Sequence, residues 1–238
     1  MAKMKTENLD VVYFCRDGAN EELRYSLRSL DKNFKFNSVW IYGGKPDYIT
    51  PDHFVKINQT GRTKWDKVRA MFGSVCLNGK LSENFVLMND DFFIMKKTDS
   101  LEPVFRCSLF EHIVTVEGNF GDRPTNYTAE LRKATRRLQE AGLDTNSYEL
   151  HVPMIFNRKK LLETMGAFPD VHATRSLYGN YVGVGGKQMS DVKIYEKNTP
   201  VEEFENNRFL STQDSIWMDS NVARYIKESF KERSRFEK

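Results

Sequence analysis

At 238 residues, with 39% hydrophobic and 29% charged side chains, the chain can bury a substantial core and has the composition of a soluble globular protein. A net charge of only +3 permits a polyanionic partner without demanding one, because nucleic-acid footprints depend on clustering more than on the total. Three scattered cysteines, Cys15, Cys76 and Cys107, exclude a disulfide framework or a cysteine zinc site and read as buried reduced thiols. The polar start through Asn8 lacks the apolar run of a signal peptide, and no segment approaches the ~20 apolar residues of a membrane span, so the expected setting is the cytoplasm.

In chain order, Leu9 to Cys15 reads as a buried strand that stops at the polar loop Arg16 to Asn20. Leu23, Leu27 and Leu30 then recur at helical spacing from Glu21 to about Asp31, with Glu21 and Glu22 at the positive end of the helix. Strands follow at Ser38 to Tyr42 and Phe54 to Ile57, a polar loop at residues 58–63, and a helix from Lys64 to Cys76 with Trp65, Val68 and Phe72 on one side. This β-α-β-β opening predicts an α/β fold.

Phe85 to Asn89 suits a core strand and runs straight into Asp90 and Asp91, after which apolar residues resume at Phe92. Leu101 to Phe105 carries Pro103 and reads as an edge or connection, and Ile113 to Glu117 as a strand. A helix is predicted from Thr125 to about Ala141, with Leu131, Ala134 and Leu138 facing inward and Gly142 as its stop. A strand at His151 to Asn157 and a helix from Arg158 to Met165 come next. Residues 166–191, rich in Gly, Tyr, Asn and Ser, read as a long functional loop. Val192 to Tyr195 returns to strand, the acids Glu202, Glu203 and Glu205 are exposed, and Val222 to about Phe236 closes the chain as a helix. With no repeat, low-complexity tract or linker, residues 1–238 are expected to form a single domain.

An α/β sheet binds ligands just outside the carboxyl ends of its strands, so Asp90 and Asp91 are placed to hold a divalent ion against a phosphorylated ligand. The competing reading is a hairpin turn, since Asn and Asp are good turn formers. No Gly-x-Gly-x-x-Gly follows the first strand and no Gly-Lys-Ser/Thr loop occurs, which weighs against dinucleotide oxidoreductases and P-loop enzymes. Asn89-Asp90-Asp91 looks like a variant of the Asp-x-Asp element of sugar-nucleotide transferases.

Four blocks in order carry a more specific resemblance. Leu9 to Tyr13 with Asp17-Gly18 and Glu22 to Leu30 form the first, and Leu81 through Phe93 the second. His151-Val152-Pro153, Lys159-Lys160-Leu161, Phe168-Pro169 and Arg175-Ser176 form a looser third. Phe209 to Asp214, Ile226 to Phe230 and Ser234 to Glu237 form the fourth. Together they resemble the stealth family, capsular-polysaccharide phosphotransferases related to the lysosomal-enzyme N-acetylglucosamine-phosphotransferase. The resemblance implies a GT-A-like, Rossmann-like fold, with a mostly parallel mixed sheet flanked by helices. It also implies metal-assisted transfer from a nucleotide sugar, a UDP-sugar above all, in a protein of bacterial or phage type. Phe14-Cys15-Arg16 stands where the family usually carries Thr-Trp-Val, so sugar-1-phosphate transfer and plain glycosyl transfer both stay open.

On that basis Asp90 and Asp91 are expected to hold Mn or Mg. Asp17, Asn89, Arg24 and Arg175 are the expected donor contacts; Asp17 is otherwise a helix cap and Arg24 a solvated helix arginine. His151 is the expected base on the acceptor hydroxyl, or else a structural hydrogen-bonder, with Asp214 as a second acid. Arg132, Lys133, Arg136 and Arg137 form a basic cluster that either is a solvated face or grips a polyanionic acceptor. The acceptor is then a glycan hydroxyl, or a hydroxymethyl-pyrimidine in DNA of the kind some phage enzymes modify. A non-catalytic module binding a nucleotide sugar or polyanion is the reading from another class.

Overall fold

The structure, a computed structural model, describes residues 3–59 and 63–238; Thr60, Gly61 and Arg62 of the expected polar loop lie outside the described residues. Contacts divide it into two compact units. One comprises Met4–Leu101, His151–Phe156 and Val192–Lys238, and the other Glu102–Leu150 and Asn157–Asp191, with Lys3.

In chain order, β1 (Met4–Lys5) precedes β2 (Asp10–Cys15), then come α1 (Glu21–Asn33), β3 (Val39–Gly43) and β4 (His53–Lys56). The helix α2 (Lys64–Leu77) starts at a reciprocal capping box between Thr63 and Asp66, and leads to β5 (Asn84–Asn89), β6 (Phe92–Ile94) and β7 (Ser100–Leu101). In the second unit follow β8 (Val104–Phe105), α3 (Leu109–Gly118) and α4 (Asn126–Glu140). The strand β9 (Met154–Asn157) precedes α5 (Arg158–Ala167), α6 (Thr174–Tyr181) and β10 (Lys187–Gln188). The chain ends with β11 (Lys193–Ile194), β12 (Phe209–Thr212), α7 (Asp214–Trp217) and α8 (Asn221–Ser229).

The main sheet runs β4-β3-β2-β5-β9, with β2 parallel to both β3 and β5 and β3 parallel to β4. Its middle strands are buried almost throughout, as parallel strands covered on both faces must be. A smaller mixed sheet, β11-β12-β6, stands beside α1. Phe93, Leu210, Trp217, Val222 and Ile226 form its apolar cluster. In the second unit, α3, α4 and α6 close on Leu109, Ile113, Leu131, Ala134, Leu138 and Leu177.

The leucines of α1 are buried as expected, and a second stripe is buried beside them: Glu22, Ser26, Ser29 and Asn33, at spacings of four, three and four. Ser26, Ser29 and Asn33 of this stripe are satisfied by the main chain of β6. Ser26 Oγ donates to the Phe92 carbonyl at 2.5 Å, Ser29 Oγ accepts from the Ile94 amide at 2.9 Å, and Asn33 Nδ2 donates to the Ile94 carbonyl at 2.7 Å. The helix supplies β6 with hydrogen bonds that a neighbouring strand would otherwise provide.

Three expectations from the sequence are corrected. Ile113 to Glu117 is not a strand but the body of α3, because Ser108 and Glu111 form a capping box just before it. The β-branched run then buries Leu109, His112 and Ile113 on one helical face. Residues 166–191 are not one long loop, since they contain α6 and β10. Gly179 there serves close packing, because a Cβ would lie 2.3 Å from the Tyr148 ring. The closing helix stops at Ser229, where Arg28 takes the next carbonyls, Phe230 at 3.0 Å and Lys231 at 3.2 Å. The same buried guanidinium clasps both Glu237 carboxylate oxygens at 2.7 Å.

Asp10 ties the amino ends of three strands together. Its carboxylate accepts from Asn37 Nδ2 and Ser38 Oγ, which precede β3, and from the Ser82 amide, which precedes β5. Burial alone would raise this carboxyl, but the bonds from Ser38, Ser82 and Asn37 outweigh it and hold the pKa below the unfolded value of 3.8. The contribution to stability is therefore complete above that value and is lost as pH falls through the lower folded one. Asp10→Ala, which orphans three donors, is expected to cost about 1–3 kcal/mol by urea denaturation at neutral pH. The difference from wild type should shrink under acid; an equal difference at pH 7 and pH 2 would refute this account of Asp10.

Candidate functional site

Because β2 and β5 are parallel neighbours, with Phe14 in register with Asn89, the loops that follow them leave the sheet at the same edge. Gly43, at φ 107°, lets β3 end there too, since a Cβ would lie 2.2 Å from the Cys15 carbonyl. This is the carboxyl edge at which the sequence places the acids.

Asn20 joins the two loops. Its side-chain oxygen caps α1 by accepting the Leu23 amide at 3.0 Å, and its side-chain nitrogen donates to Asp90 Oδ2 at 2.5 Å. The helix end is thereby aimed at Asp90, and its partial positive charge favours an acid there. Burial, then repulsion from Asp91, nonetheless pushes the half-buried Asp90 carboxyl up to about 6. Asp91 is buried, and its Oδ2 accepts from Lys193 Nζ at 3.0 Å and Ser211 Oγ at 3.1 Å.

Glu22 is the group the sequence reading missed. Placed by the sequence only at the positive end of the helix, it is buried and accepts a 2.6 Å hydrogen bond from Thr212 Oγ1. Burial, followed by the charges of Asp91, Asp214 and Asp90, pushes it up to about 7. The signal for it lay in the stripe Glu22, Ser26, Ser29, Asn33, polar at helical period next to a leucine stripe. Lys193, Ser211 and Thr212 had no comparable signal, because β11 and β12 come to this edge only through tertiary pairing.

The remaining expected residues fall into distinct places. Asp17 does not cap α1, a role taken by Asn20; it is exposed and paired with Lys56. Asp214 is exposed and pairs with Arg16 at 2.8 Å. Arg24 is not fully solvated: its guanidinium lies over the Tyr48 ring at 4.2 Å and 3.6 Å from Glu237. His151 meets Phe92, the residue after Asp91, edge to face at 6.0 Å. Asn89 is the last residue of β5.

Arg175 belongs to the second unit, where it donates to the Leu150 carbonyl. So does the basic cluster on α4. Arg132 pairs with Glu117, Lys133 with Asp170, and Arg137 with both Glu140 and Asp170, while Arg136 is exposed. Most of the cluster's charge is thus answered within its own unit.

Carboxylates of this kind suit Mg or Mn. Their arrangement does not fit one: among the described residues no three His, Cys, Asp or Glu side chains converge as a metal-holding set, and Asp91 already faces an ammonium.

No family model matches the sequence, and no curated protein matches it. Solved structures similar to it include the apo form of glycosyltransferase GlyE from Streptococcus pneumoniae TIGR4, at 8% identity and a TM-score of 0.46 over 93% of this chain and 60% of that one. The galactosyltransferase LgtC, in complex with donor and acceptor sugar analogues, gives 11% identity and a TM-score of 0.46 over 94% and 95%. The bifunctional WbbM gives 14% and 0.46 over 92% and 44%. The chain thus spans less than two thirds of GlyE and less than half of WbbM. At such scores the functional reading rests on the chain's own residues. Among the described residues no helix is long and apolar enough to cross a membrane.

Glu22 offers a clean check on the charge crowding at this edge. Its folded pKa of about 7 lies above the 4.5 of the free side chain, so ionising it costs stability, and the full cost is present above pH 7 and gone below 4.5. Glu22→Gln, which can still accept from Thr212, is expected to stabilise the protein by up to roughly 3 kcal/mol at pH 8 and by little at pH 4.5. Chemical denaturation at the two pH values measures this; destabilisation at pH 8 would refute it.

Proposed function

We propose that the chain is a GT-A-type transferase that takes a sugar from a nucleotide-sugar donor, a UDP-sugar above all, and passes it to a hydroxyl acceptor, both units forming one transferase domain. The observation that carries this reading is the gathering of Asn20, Glu22, Asp90 and Asp91 at the carboxyl edge of two parallel strands. Such edges are where α/β sheets take phosphorylated ligands. It is also what the resemblance of the four ordered blocks to the stealth family implies.

Three cations at this edge are each held by an acid: Arg16 by Asp214, Lys56 by Asp17, and Lys193 by Asp91. In this reading they are the groups that meet the donor diphosphate and stabilise its charge as it leaves. Asp17 and Asn89 line the donor side. His151 accepts the proton of the incoming hydroxyl while that oxygen attacks. Attack at the anomeric carbon transfers the sugar; attack at phosphorus transfers sugar 1-phosphate. Glycosyl transfer is the first reading, and sugar-1-phosphate transfer, which the stealth-like blocks imply, is the alternative. The neutralised basic cluster on α4 favours a glycan hydroxyl over DNA as acceptor.

A panel of nucleotide sugars, read by thermal shift, tests the donor site: one donor should raise the melting temperature, because a ligand bound only by the folded state must do so. Asp90→Asn should abolish that shift and lower transfer by about a hundredfold or more. A shift without turnover on any hydroxyl acceptor would mark a binding module instead, and no shift with any donor would overturn the reading. A donor labelled in both its β-phosphate and its sugar decides the bond broken: phosphate label in the product excludes plain glycosyl transfer.

A further inference from the structure

Lys193 is placed with unusual care for a lysine. It faces Ser211 across the parallel pair β11–β12, and both side chains reach the same oxygen of the buried Asp91. Its own side chain is only 16% exposed. An ammonium at that depth is costly unless a carboxylate answers it, and here the carboxylate sits beside two further acids, Glu22 and Asp90. The positive charge that such a group of acids calls for is thus carried by the chain itself, at the very residue that the sequence assigns to a divalent ion.

We propose that Lys193 is the resident cation of this acidic edge, occupying at Asp91 the place a divalent ion would need, so that the chain meets its ligand with its own ammonium in place of a metal. The inference takes the acidic edge as the donor site of the proposed transferase, but it concerns only which cation sits there. Removing the ammonium without changing the shape of the side chain leaves Asp91 without its cation, and a divalent ion can then pair with that carboxylate.

The test needs no nucleotide and reads no activity: Mn2+ alone is titrated into the full chain and the free ion is followed by electron paramagnetic resonance. Wild type should bind Mn2+ weakly, with an affinity that Asp91→Asn leaves unmoved. Lys193→Met should bind it about tenfold more tightly or better, and Asp91→Asn added to that variant should remove the gain. Lys193→Arg, which keeps the charge, should behave as wild type. Tight Mn2+ binding by wild type that Asp91→Asn abolishes would overturn the proposal, and that result is available even if Lys193→Met does not fold. Equal affinity in wild type and Lys193→Met would overturn it as well. Because binding of the ion is measured alone, failure of the transferase reading would show up separately, in the donor panel.

Discussion

Three side-chain bonds from α1 to the main chain of β6 are the constraint on which the acidic edge depends. Asp90 and Asp91 form the short link between β5 and β6. The strand β5 is fixed by the parallel ladder, whereas β6 is only three residues long and draws much of its anchorage from Ser26, Ser29 and Asn33. Each such bond contributes on the order of 1 kcal/mol, but their joint effect is geometric. Together with the ladder that holds β5, they fix both ends of the acid link, so the carboxylates cannot relax apart. Glu22, at the head of the same stripe, is brought in by the helix that makes those bonds.

Crowding of like charge follows, and the protein answers it in two ways. Neutral donors, Asn20, Ser211 and Thr212, hold individual oxygens, while cations from other elements stand beside the acids. The exposed pairs, Arg16 with Asp214 and Lys56 with Asp17, contribute little stability and can be traded for a ligand at small cost. The buried pair, Lys193 with Asp91, cannot be opened so cheaply. Charge thus grades from fixed at the sheet to loosely held at the rim.

What could be read from the sequence was what short-range chemistry decides. The strands β2, β3 and β5, the leucine face of α1 and the acid link were legible because burial and period write them directly into the residue order. Ile113 to Glu117 misled because β-branched residues suit a strand, while the decisive Ser108 and Glu111 capping pair lay outside the run being judged. At the site, Asp90 and Asp91 were visible and Glu22 was not, since a charge at a helix start is usually at the surface and only the contact with Thr212 reveals otherwise. Lys193 lies 102 positions from Asp91, and no local rule connects them. Arg24 was expected as a donor contact or a solvated helix arginine; its contacts with Tyr48 and Glu237 are ones that sequence spacing does not encode.

Asn20 has one further consequence. Its amide works in two directions, the oxygen capping α1 and the nitrogen reaching Asp90. Hydrolysis of that amide to a carboxylate would preserve the cap, because aspartate serves a helix start as well as asparagine does. The other hand of the group, however, would change from a donor to an acid pressed against an acid. Conversion to aspartate at this single position would therefore leave a folded helix with a changed acidic edge, damage that a test of foldedness alone would pass as sound.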